Sequence, residues 1–121
     1  MMIQAQAEEF AQEWIAAWNA HDLSAVARLY SEDFEMSSPF VAQLTGEPSG
    51  RLVGKEQVQT YWEAVFRRMP LLNFELLDVF AGASSLVVHY RTNLGRDAAE
   101  VLFFDSEGKI YRAAAHFKEQ A

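Results

Sequence analysis

One acid stands alone among apolar residues. Glu100 lies in the run AAEVLFF, residues 98–104. A carboxyl held in a dry pocket has a raised pKa and can donate a hydrogen bond or a proton at neutral pH. A glutamate at an exposed strand edge fits the same residues. Two histidines, His89 and His116, lie in neighbouring apolar segments. Either has the chemistry of a general acid or base, and either also suits an interface or a structural hydrogen bond. Their spacing makes no H-x-H or H-E-x-x-H pattern, so no metal is expected. Gly-rich phosphate loops, a G-x-S-x-G elbow and cysteine are absent, and no cofactor is expected. Strand register decides what meets Glu100. Pairing about Gly95 puts Tyr90 beside it; a slip of one residue puts His89 or Arg91 there and exchanges faces.

Aromatic residues supply the other candidates. Trp14 and Trp18, four apart, share one face of a helix. Tyr30, Tyr61, Trp62 and Phe66 fall on faces that must be buried. With Ser38, Phe40 and Tyr90 these residues either line a cavity or fill a core.

The elements that position them follow from the periodicity. Ile3 to Trp18 has apolar residues at helical spacing. Asn19 to His21 breaks it, with His21 expected in solvent. Asp22 is a good N-cap for a second helix whose stripe is Leu23, Val26, Ala27 and Tyr30. Phe34 to Ser38 alternates as a short strand that Pro39 stops. Phe40 to Val53, with Gly46, Pro48 and Gly50, reads as a long loop with at most a brief extended piece. Gly54 to Met69 is a third helix, ended by Pro70, with Arg67 and Arg68 in its last turn. Strands follow at 73–81, 86–92, 98–104 and 109–117, joined by turns short enough to make them antiparallel. The fold class is α+β, one domain over residues 1–121, with helices on one face of a sheet.

Composition bounds the function. The chain has 121 residues, 17 acids against 10 bases and a formal charge of −7. That field repels phosphate backbones, so nucleic acid is an unsuitable partner. No signal-like start is present, and no apolar run reaches the roughly 20 residues that span a membrane. A soluble, cytoplasmic protein without a membrane partner is the expectation.

Three segments carry a resemblance: WNAHDLSAVARLYSEDFEMSSP, the helix start GKEQVQTYW and the hairpin FFDSEGKI. With them nearly the whole chain resembles the NTF2-like superfamily, in its SnoaL-like and ketosteroid-isomerase-like branch. The resemblance implies a curved antiparallel sheet wrapped around three helices, a cone-shaped apolar pocket and a homodimer formed through the outer sheet face. In ketosteroid isomerases the first helix supplies an oxyanion-hole tyrosine, and Trp14 matches that place. Their general-base aspartate precedes the proline after the first strand; here that residue is Ser38, which cannot take up a substrate proton unaided. Their protonated aspartate is matched by Glu100. The resemblance therefore implies a domain that binds a small apolar ligand, ring-containing or acyl. Any reaction would be isomerase-, cyclase- or dehydratase-type acid–base chemistry on a carbonyl compound without the isomerase base. Glu100 would be the acid, Trp14 or Tyr90 would assist, and His89 or His116 would be the candidate bases. A non-catalytic dimerisation module with a filled core is the alternative.

Overall fold

A computed structural model describes residues 2–119. The element order is α1 (Gln4–Asn19), α2 (Leu23–Ala27), β1 (Tyr30–Ser37), α3 (Pro39–Thr45), β2 (Arg51–Val53), α4 (Lys55–Arg68), β3 (Phe74–Ala81), β4 (Ser85–Thr92), β5 (Asp97–Phe104) and β6 (Ile110–Phe117). The strands form one curved, unclosed six-stranded sheet in the order β2-β1-β6-β5-β4-β3.

β3 to β6 make the expected antiparallel meander. One pair departs from the all-antiparallel expectation, because β1 lies parallel to β6. The chain reaches β6 from β1 through α3, β2, α4 and three strands, a crossover long enough for parallel pairing.

α1 buries Ala7, Ala11, Trp14, Ile15 and Trp18 against the sheet. Its last residue clamps the start of β3. The Asn19 side-chain amide donates to the Phe74 carbonyl (2.9 Å) and accepts from the Phe74 N–H (2.7 Å). Both main-chain groups of Phe74 are thereby satisfied by one side chain. His21 is not in solvent, as the sequence suggests, but half-buried. Its Nε2 lies 2.6 Å from the Leu72 carbonyl oxygen and its ring stacks on Phe66 at 4.5 Å. Its φ of 54° turns the corner into α2.

Two boundaries differ from the sequence expectation. α2 stops at Ala27, and Tyr30 opens β1 rather than closing the helix. The reason is tertiary capture: the Ile110 N–H donates to the Leu29 carbonyl and the Lys109 ammonium to the Arg28 carbonyl. The segment after Pro39 is a helix, not a loop. Ser38 is its N-cap, Pro39 its first residue, and Gly46 its left-handed C-cap at φ 77°. Proline fits the first helical turn, where its missing N–H has no partner to lose. Among the described residues, four helices therefore accompany the sheet instead of three.

The core runs from α1 and α4 to the inner sheet face. Leu86, Val88 and Tyr90 of β4, with Ala98, Glu100 and Leu102 of β5, alternate inward along their strands.

Candidate active site

The space between α1, α3, α4 and the inner sheet face is a cavity of about 600 Å³. Its buried end carries Trp14, Tyr90 and Glu100, and its open end carries the exposed Gln43, Arg68 and Leu94. That volume is within the range of small-molecule sites. The lining is largely aromatic and aliphatic, with few polar groups. A second groove, open to solvent, lies between α1 and the hairpin ends near Phe10 and Phe104; its acids, Glu9, Glu13 and Asp105, are not buried.

Glu100 is buried, at 8% exposure, and points into the cavity. The observed register sets Glu100 opposite Val88 and Tyr90 opposite Ala98. Tyr90 and Glu100 are thus diagonal neighbours on the inner face, and the Tyr90 hydroxyl donates to Glu100 Oε1 at 3.2 Å. Burial pushes the carboxyl up to about 7, and the Tyr90 hydrogen bond partly opposes that rise. Near neutral pH this carboxyl therefore exists both as a proton donor and as a carboxylate.

Three buried phenols surround it. Burial, then the Glu100 charge, holds Tyr90 well above its ordinary value. Tyr61 is pushed up to about 12 by burial, with the Ser38 hydroxyl opposing. Tyr30 is also raised, by burial and the Glu100 charge. All three stay protonated and can serve only as neutral hydrogen-bonding groups.

The structure brings Trp14, Trp18, Ser38, Phe40, Tyr61, Trp62, Tyr90 and Glu100 together on the cavity wall. Tyr30 and Phe66 are not there. Tyr30 sits behind Trp14, accepting its indole N–H at 2.8 Å. Trp14 therefore spends its donor on Tyr30, which removes it as the assisting donor that the sequence suggests. Phe66 packs between His21 and Trp18. The Trp18 N–H approaches the Tyr30 hydroxyl without reaching hydrogen-bond geometry and is buried without an acceptor. Ser38 lines the cavity while its Oγ accepts from the Phe40 N–H at 3.2 Å, so it works as a helix cap.

His89 and His116 face away from the cavity. Both are register partners of Ala99, whose side chain alternates to the side of β5 opposite Glu100. His89 lies 3.6 Å from Asp97 and His116 3.3 Å from the Ala99 carbonyl oxygen. Neither reaches a ligand in the cone, which removes both as bases for chemistry at Glu100. Arg91 pairs with Asp97, not Glu100. Among the described residues, no cluster of three or more His, Asp or Glu is placed to hold a metal.

Sequence reasoning missed Met36, Phe74, Phe117 and, at the mouth, Arg68 and Arg96. Arg96 was legible: counting back by twos from Glu100 through Ala98 puts it on the same face.

The family model described as the SnoaL-like domain matches residues 11–118. The chain belongs to the SnoaL-like domain family. It is accordingly an NTF2-like protein. A SnoaL-like protein of unknown function from Burkholderia thailandensis is 49% identical, with a TM-score of 0.93 over 97% of this chain and 98% of that one. A structure described as a candidate isomerase of the SnoaL-like family, from Agrobacterium tumefaciens, has a TM-score of 0.77 at 17% identity, covering 96% of this chain and 100% of that one. A candidate polyketide cyclase from Sinorhizobium meliloti has a TM-score of 0.73 at 12% identity, covering 89% and 94%. The last two show the shared fold. No curated protein matches the chain. No helix among the described residues is long and apolar enough to cross a membrane.

Proposed function

We propose that this SnoaL-like domain binds an apolar carbonyl compound in its cone and that Glu100 exchanges protons with it. The carrying observation is a buried carboxyl that points into an open aromatic cavity and bonds only to Tyr90 among the described residues. The cavity supports this reading over the filled-core module. Protonated Glu100 donates to the carbonyl oxygen. Ionised Glu100 accepts a proton from the carbon beside the carbonyl; as the carboxylate is neutralised, the Tyr90 hydroxyl turns its one donor from Glu100 to the oxygen and holds the charge that develops there. Return of that proton to the same or a conjugated carbon completes a tautomerisation with no net loss of protons.

Hydrogen–deuterium exchange at the methyl group of 2-acetylnaphthalene, followed by NMR, tests the proton transfer. The chain accelerates exchange above the buffer rate, and Glu100→Gln returns it to that rate. Equal rates with and without the protein would remove the catalytic half of the reading.

A second copy of the chain seated on the outer sheet face is the partner this reading carries. Val87, Val101 and Phe103 alternate onto that face half-buried, and Phe80 is exposed beside them. Sedimentation equilibrium measures whether the pair forms.

A further inference from the structure

Arg96 sits at the mouth of the cone without an acid. Its guanidinium carbon lies 5.4 Å from the centre of the Phe40 ring and 5.5 Å from that of Phe117. Those rings, themselves edge to face at 4.7 Å, fix the group in place. Its Nε is buried and has no hydrogen-bond acceptor. None of the ion pairs among the described residues involves Arg96. Burying part of a cation unpaired is costly, and leaving a buried N–H without an acceptor adds to that cost. Arg68, exposed on the last turn of α4, lines the same opening and also lacks an acid partner there. This basic mouth exists on a chain whose formal charge is −7.

Arg96 and Glu100 mark the two ends of the site. The Thr92 N–H to Arg96 carbonyl bond (2.9 Å) extends the β4–β5 ladder to Arg96, so both residues lie on the inner face, four positions apart. At about 3.4 Å per residue their backbones are roughly 14 Å apart. Between them the wall is apolar and aromatic.

Resting on the proposed pocket reading, we infer that the ligand is an amphipathic carboxylic acid, with its carboxylate on Arg96 at the mouth and its neutral carbonyl end at Glu100. A planar guanidinium held by two rings is preorganised for a carboxylate and supplies paired donors to it. The anion provides the acceptor that the Arg96 Nε lacks. The rings of Phe40 and Phe117 then flank the carboxylate end of the ligand body.

Three compounds test this: 2-acetylnaphthalene, 6-acetyl-2-naphthoic acid and 6-acetyl-2-naphthamide. Quenching of the three tryptophans, all of which line the cavity, reads binding at pH 6. The acid binds at least tenfold tighter than the amide, Arg96→Gln abolishes that preference, and Arg96→Lys retains part of it. Equal affinity of acid and amide, with the ketone still bound, overturns this inference and leaves the pocket reading standing. An acid preference that survives Arg96→Gln overturns the assignment to Arg96. Failure of all three compounds to bind overturns both readings. The acid–amide comparison on the unaltered chain needs no variant to fold.

Discussion

The Tyr90 hydroxyl stands 3.2 Å from Glu100 Oε1, on the buried face of a sheet whose other side carries both candidate histidines. Strand alternation alone separates them: Glu100 and Ala99 are consecutive, so their side chains face opposite ways. The consequence is a cavity with one titrating carboxyl on its floor and its phenols locked in their neutral form.

Glu100 makes stability depend on pH. Folding raises its pKa from 4.5 to about 7, so the folded state binds more protons than the unfolded state between those values. Stability is unaffected by this group below about pH 4.5, falls as pH rises from there, and levels off above the folded value. The loss reaches about 3 kcal/mol by pH 9, because each pH unit between the two pKa values is worth about 1.4 kcal/mol. Glu100→Gln removes this slope and is more stable than the parent at pH 9. Urea unfolding at pH 5, 7 and 9 measures both chains; parallel curves for the two would refute a buried neutral carboxyl.

Asn19 holds the start of β3 through two bonds. Asn19→Ala strips partners from the Phe74 N–H and carbonyl together and costs about 2 kcal/mol. Asn19→Asp keeps the acceptor but turns a carboxylate toward the Phe74 carbonyl. Its deficit is largest at neutral pH and shrinks as pH falls through the carboxyl range, where a protonated Asp can donate. Denaturant midpoints for the two variants decide it; a neutral Asn19→Ala would mean the clamp holds nothing.

Ser38 is a cap at the cavity wall. Its Oγ caps α3, so Ser38→Ala costs about 1 kcal/mol while Ser38→Asn, which keeps a capping oxygen, costs little. Chemical denaturation separates them. An alanine variant as stable as the parent would remove the capping role.

The sequence carried the sheet's meander, α1 and α4 plainly, because hydrophobic periods of two and of 3.6 were uninterrupted there. It carried α3 less plainly. Ser38-Pro39 with Gly46 is a helix-cap signature, but Pro39 suits the end of a strand equally well. Tyr30 was ambiguous for a different reason: a buried position looks the same under either period, and only the long-range bonds to Ile110 and Lys109 decide where β1 begins. Glu100 stood out as one acid in an apolar run. What no local pattern supplies is the pairing register, which turned His89 and His116 outward and gave Arg91 to Asp97. Arg96 was hidden inside a turn signal, Asn93 to Arg96, although its spacing from Glu100 placed it inside.

In the proposed site a neutral Glu100 holds the carbonyl of an apolar ligand at the floor of the cone. Titrating 2-acetylnaphthalene against tryptophan fluorescence from pH 5 to pH 9 measures this most directly. Binding is predicted to be tight and constant below about pH 6, to weaken as Glu100 ionises through about 7, and to lose its pH dependence in Glu100→Gln. Saturable binding of equal strength across that range in the unaltered chain, or no saturable quenching at any pH, would contradict it.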